Sequence, residues 1–214
     1  MLSKFIARYD AQLLRPPATP DAGAAAAPLP PPERALQDHL MAWCRHGAGD
    51  GLSGPPQPLS IALLTGTAAD APPPLVEDLA LRLDGTYELL AAGDRWRQRL
   101  FRLRVKWDEC RWWQPRGATA PWDSGYLLDS AEALARLARF QPRRPTLIVA
   151  QDMADAPLRE ALHTLAARRT HFTQAVRLLV LAPSRPAALA QWRADSGAIS
   201  AGSLSFRVLV PPAG

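Results

Sequence analysis

The residues best spaced for chemistry follow an apolar run, Ile61–Leu64. They are Gly66, then Thr67, Ala68, Ala69 and Asp70, then Ala71, Pro72 and Pro73. A strand followed by glycine, four residues, and then Gly-Lys-Ser/Thr is the spacing with which a loop wraps phosphate. The glycines let backbone N–H groups converge, the lysine meets the terminal phosphates, the hydroxyl holds magnesium, and the helix that follows contributes its dipole. Here the register puts Ala71 at the second glycine, Pro72 at the lysine and Pro73 at the hydroxyl. Pro72, Pro73 and Pro74 also lack the N–H donors that a phosphate cradle uses. The layout of a phosphate loop is present and its chemistry is missing, so no nucleotide or metal cofactor is expected.

Other reactive residues form no better constellation. Cys44 and Cys110 lack metal-ligand spacing and read as reduced thiols. His39, His46, His163 and His171 are scattered with no acid to complete a ligand set. Asp152 and Asp155 follow an apolar run, Thr146–Ala150, and so fall at a sheet's carboxyl edge, where α/β folds bind ligands. They are the only acids that suggest a rearranged catalytic site. Between Arg95 and Trp113, arginine alternates with aromatic and aliphatic residues. Read with period two, Leu100, Arg102, Arg104 and Lys106 oppose Phe101, Leu103, Val105 and Trp107, which predicts a half-exposed strand with a cationic face. Such a face serves a protein partner or, with Trp96, Trp107, Trp112 and Trp113 for stacking, a nucleic acid.

The elements that must position these residues alternate. An apolar stripe of Leu2, Phe5, Ile6, Tyr9, Leu13 and Leu14 predicts a short amphipathic helix within an arm, residues 1–14. Residues 15–32 are a Pro/Ala-rich linker, and residues 33–214 form one domain. Within it the periodicity predicts a helix through Leu36, Leu40 and Trp43, then a strand at Leu59–Leu64. A helix follows through Leu75, Leu79 and Leu83, stopped by Gly85. Helices over Ala131–Phe140, Pro157–Arg169 and Ala187–Arg193 alternate with strands at Thr146–Ala150, Val176–Leu181 and Leu204–Val210. Strands alternating with helices predict an α/β three-layer sandwich around a mainly parallel sheet.

The 214 residues, 48% apolar and 21% charged, suit one such core with an arm. The 22 prolines gather in linkers. A net charge of +5, nearly all from arginine, permits an acidic partner without demanding one. No run reaches the roughly 20 apolar residues of a membrane span. The start, broken by Lys4, Arg8 and Asp10, does not read as a secretory signal, so the expected location is the cytoplasm.

Five segments in order carry a resemblance: LMAWC at Leu40–Cys44, LLTGTAADAPPPLVEDLA at Leu63–Ala80, WDSGYL at Trp122–Leu127, RPTLIVAQD at Arg144–Asp152, and VRLLVLAPS at Val176–Ser184. Over roughly residues 33–195 the chain resembles the P-loop ATPase domain of the bacterial STAND class, relatives of the AAA+ ATPases. The resemblance implies a P-loop NTPase-like sheet. It places the family's lysine on Pro72, its magnesium hydroxyl on Pro73, its metal-linked aspartate on Gln151 with Asp152 one residue off, and a following arginine on Pro183. With Gly66 and Ala71 these positions make a degenerate nucleotide site, so the resemblance implies a pseudo-NTPase and not an enzyme.

The resulting expectation is a non-catalytic regulatory or scaffold subunit. Its interaction surface would comprise Phe5, Ile6 and Tyr9 of the arm with Arg97, Arg99, Arg102, Arg104, Lys106, Trp112 and Trp113. The partner would be another protein, either an active P-loop NTPase or a membrane-associated complex, to which the chain would be peripheral; a homodimer is a further option. A nucleic-acid module built on residues 95–113 and an enzyme rearranged around Asp152 are the alternatives.

Overall fold

The structure is a computed structural model that describes residues 13–18, 29–46, 58–65, 74–91, 95–110, 114, 120–182, 187 and 205–209. Two runs of β-branched and aliphatic residues form its middle: β2 (Leu59–Thr65) and β5 (Val176–Ala182), which pair in parallel from Leu59 opposite Val176 to Thr65 opposite Ala182. A strand covered on both faces has no reason to alternate in polarity, and both are buried almost throughout. Outside them lie β3 (Asp123–Leu127), β4 (Thr146–Gln151) and β6 (Ser205–Leu209). Among the described residues the sheet order is β1-β3-β4-β5-β2-β6, and of these strands only β1 (Leu14–Arg15), beside β3, is antiparallel.

Helices cover both faces. On one, α5 (Ala131–Leu137) and α6 (Asp155–Arg168) pack Leu137, Leu158, Leu162 and Leu165 onto Ile61, Leu63, Ile148, Leu178 and Val180. On the other, α1 (Pro31–His46) and α2 (Pro74–Leu83) pack Leu40, Trp43, Leu75 and Leu79 onto Ala62, Leu64, Val149, Leu179 and Leu181. Each fully buried leucine contributes about 2 kcal/mol. The chain steps from β3 to β4 to β5 through α5 and α6. It steps the opposite way, from β2 to β3, after α2 on the opposite face. Opposite steps over opposite faces keep the crossovers of one hand, as a twisted parallel sheet requires. The expected α/β architecture with a mostly parallel sheet is therefore observed.

Local signals explain the element ends. Ser130 caps α5, its hydroxyl accepting from Ala133 N–H at 3.1 Å. Gly85 sits at φ 81° just past α2, a left-handed turn that glycine makes without steric cost. The short α3 (Thr86–Ala91), with no apolar period long enough to read, begins immediately after it.

Three expectations change. The arm helix was to run to Leu14, but Leu14 lies in β1 and both Leu13 and Leu14 are buried in the core. A two-residue strand thus covers the β3 edge and joins the arm to the domain; residues 1–12 lie outside the described residues. Arg15, placed in the linker, belongs to that strand, and Pro31 and Pro32 open α1. The largest change concerns residues 95–113: Arg95–Cys110 is α4, a helix of 16 residues, where a strand was expected. Its text satisfies period two and period 3.6 together. It contains no glycine or proline and is rich in arginine and leucine, both good helix formers. A helix closes its hydrogen bonds locally, whereas the β3 edge to which a strand could have added is already taken by β1. Leu103 and Trp107, expected inward, are exposed.

Candidate functional site

In open α/β sheets a ligand crevice forms beyond the strands' carboxyl ends, where the chain leaves neighbouring strands in opposite directions. Here that place lies between β2, which leads away toward β3, and β5, which leads across β2 to β6. Thr65 and Ala182 are its paired last residues, and Gln151 stands alongside, paired with Leu181. The strand order therefore gathers at one edge the ends of the three strands that precede Gly66, Asp152 and Pro183. Gly66, Ala71, Pro72, Pro73 and Pro183 themselves lie outside the described residues.

Gln151 is partly exposed and Asp152 exposed. Asp152 adopts φ 44°, the left-handed region that Asp tolerates better than most residues, and its N–H donates to the Leu181 carbonyl at 3.1 Å. This bond ends β4 and turns the chain toward α6, whose first turn carries Asp155. The helix on the other side of the crevice, α2, opens on Pro74 and carries Glu77 in its first turn. A carboxylate there stabilises the helix through its dipole and puts negative charge near the end where a phosphate would need positive potential. Among the described residues no group of three His, Cys, Asp or Glu side chains converges as a metal site.

Of the proposed interaction surface, Phe5, Ile6, Tyr9, Trp112 and Trp113 lie outside the described residues. Arg97 and Arg102 fall within α4, and Arg99, Arg104 and Lys106 are exposed on it.

Two polar clusters escaped the sequence reading. The first centres on Asp78, on α2. Its carboxylate accepts from Arg82 Nε at 2.6 Å, from the Tyr87 hydroxyl at 2.6 Å and from Gln37 Nε2, joining α1, α2 and α3. The Arg82 guanidinium also lies 5.6 Å from the Tyr87 ring centroid. Burial alone would raise the Asp78 carboxyl, but the hydrogen bonds from Arg82, Tyr87 and Gln37 together with the Arg82 charge hold it below its ordinary value. Burial and the bond to Asp78 push the Tyr87 phenol up to about 12. The only sequence signal was the i, i+4 spacing of Asp78 and Arg82.

The second is Arg177, fully buried in β5. Its Nε donates to the Cys44 carbonyl at 3.0 Å and its Nη1 to the Val176 carbonyl at 3.0 Å. Cys44 lies in the last turn of α1, where carbonyls have no partner within the helix, so the guanidinium supplies both a donor and a charge that suits the dipole. Trp43 Nε1 donates to Ser60 Oγ at 2.9 Å and fastens the same turn to β2. Burial draws Arg177 down to about 10, so it stays charged at neutral pH. Burial pushes the Cys44 thiol up to about 12 against the pull of Arg177 and Arg45, leaving it protonated and inert. Cys110 is exposed at the end of α4. Titration with an aromatic disulfide should therefore release one equivalent of thiolate from the native protein and a second only in denaturant. Two fast equivalents would show that α1 is not seated as described.

At the sheet's amino end, away from the crevice, a cavity of about 240 Å³ is bordered by Pro16, Asp84, Thr86, Trp122 and Arg144. Arg144 pairs there with Asp123, and Asp84 accepts from Thr86 N–H at 2.7 Å, so these charged groups are engaged with their neighbours.

No protein-family model and no curated protein matches the chain.

Proposed function

We propose that this chain is a pseudo-NTPase: a P-loop NTPase-like three-layer domain that works without catalysis, as a protein-interaction or regulatory subunit of a larger assembly. The observation that carries the reading is the topological switch between β2 and β5, with Gln151 beside it and a proline opening α2. Strand order supports a nucleotide-type crevice, while the residues at its rim favour no nucleotide. Phosphoryl transfer depends on a positioned cation and magnesium. A neutral amide at Gln151, Pro72 and Pro73 in the loop register, and Glu77 in the first turn of α2 supply neither. The partners in view are another protein, an active P-loop NTPase among them, or a second copy of the chain.

Calorimetric titration with ATP and magnesium is expected to give no binding heat up to millimolar nucleotide. Micromolar affinity that requires magnesium would overturn the reading. The rearranged-enzyme alternative predicts a change in an activity on replacing Asp152 and Asp155 together. The present reading predicts that Asp152→Asn/Asp155→Asn leaves partner capture unchanged.

A further inference from the structure

The period of α4 leaves an apolar stripe facing solvent. Trp96, Leu100, Leu103 and Trp107 recur at i, i+4, i+7 and i+11, and at 100° per residue they fall within an arc of about 60°. Their exposures are 62%, 47%, 60% and 69%. Four large apolar side chains along one line about 17 Å long are more than the single surface leucines that soluble proteins tolerate without consequence. The helix as a whole is not apolar. It contains Arg95, Arg97, Arg99, Arg102, Arg104 and Lys106 against Asp108 and Glu109. On the helical wheel Arg99 and Lys106 border the stripe on one side and Arg104 on the other, and all three are exposed.

This charge pattern selects the occupant. A second copy docked through the same stripe would bring its own cationic borders against these, and like charges at such positions are destabilising. A nucleic acid would match the charge, but the stripe's middle is aliphatic, with Leu100 and Leu103 offering no ring on which bases stack. An anionic bilayer surface matches both features. Tryptophan settles at the headgroup level, leucine enters the acyl boundary, and arginine and lysine stems reach sideways to lipid phosphates. A helix with a strongly charged polar face and modest overall hydrophobicity lies in the interface plane, whereas no helix among the described residues is long and apolar enough to cross a membrane.

We infer that α4 is an in-plane membrane anchor that docks the domain on anionic lipid through Trp96, Leu100, Leu103 and Trp107, with Arg99, Arg104 and Lys106 on headgroups. The inference stands apart from the nucleotide site, because it holds whether or not the crevice binds ATP.

The test is co-sedimentation of the full chain with vesicles of phosphatidylcholine alone and of phosphatidylcholine containing about 30% phosphatidylserine. Binding is expected only to the phosphatidylserine vesicles and should weaken as salt rises. Each basic residue near such a surface strengthens binding roughly fivefold, so Arg99→Glu/Arg104→Glu/Lys106→Glu should lower affinity by about 100-fold or more. Leu103→Ala/Trp107→Ala should lower it by a similar factor. All five positions are exposed, so melting temperatures should stay unchanged and report that folding is intact. Failure to bind phosphatidylserine vesicles at low salt would overturn the inference. So would binding that survives the apolar double substitution, or a dimer in solution that the same substitution splits, or RNA binding in place of vesicle binding.

Discussion

Replacing Arg177 by alanine is expected to cost about 4 kcal/mol of folding stability, more than any other single change at the polar clusters. The side chain is fully buried, and its removal does two things at once. It leaves the Cys44 carbonyl, near the end of α1, without the charged donor now at 3.0 Å, and it opens a cavity between α1 and the sheet. A hydrogen bond to a charged donor is worth about 1.5–3 kcal/mol, and the cavity adds to that. Arg177→Met separates the two effects. Methionine removes the same charged donor but fills much of the volume, so its cost should be smaller by the cavity contribution, at about 2 kcal/mol. In urea, with a slope of about 2 kcal/mol per molar for a domain of this kind, the alanine variant's midpoint should fall by roughly 2 M. Equal midpoints for the alanine variant and the parent protein would mean that Arg177 does not hold α1.

The second large effect concerns Asp78 and has a definite dependence on pH. Asp78→Ala deprives the Tyr87 hydroxyl, Gln37 amide and Arg82 guanidinium of their shared acceptor, at an expected cost of about 3 kcal/mol at neutral pH. The folded protein holds this carboxyl below its ordinary value of 3.8, and so binds its proton more weakly than the unfolded chain does. The stabilisation is therefore fully present above pH 3.8 and is lost as pH falls through the folded value. Unfolding free energies of the parent and of Asp78→Asn should differ most above that pH and converge below it. Asp84, six residues on, behaves oppositely: burial raises its carboxyl, against the bonds from Thr86 and the charge of Arg144. Its folded form binds the proton more tightly, so Asp84→Asn, which keeps an acceptor for Thr86 N–H, should be neutral or stabilising at pH 7. A loss at Asp84 as large as that at Asp78 would contradict both assignments.

How much of this was legible in the sequence follows from the range of each interaction. Leu75, Leu79 and Leu83 step by four and Gly85 follows, so α2 and its stop could be read directly, because helix periodicity and a left-handed glycine are local properties. The buried runs Leu59–Leu64, Thr146–Ala150 and Val176–Leu181 emerged as strands within one residue of their observed ends. Residues 95–110 could not be settled in the same way. Their apolar positions fit a strand and a helix equally, and the choice between pairing in a sheet and closing hydrogen bonds locally rests on the rest of the fold. The strand β3 is five residues with a polar start, and nothing in Asp123–Leu127 alone distinguishes it from a loop until Leu14 and Val149 lie on its two sides.

The candidate site divides along the same line. By itself the sequence determined the residue types in the phosphate-loop register, Pro72, Pro73 and Gln151 among them, because identity and spacing are all that such a reading needs. It determined, too, that strands and helices alternate, since burial on two faces writes unbroken apolar runs. Only the tertiary structure decided that the ends of β2, β4 and β5 share one edge, that Arg177 reaches the last turn of α1 across 133 residues, and that Asp78 collects donors from three helices. Each of these joins groups far apart in the chain. Their energy comes from desolvation and hydrogen-bond geometry that exist only after the layers have packed.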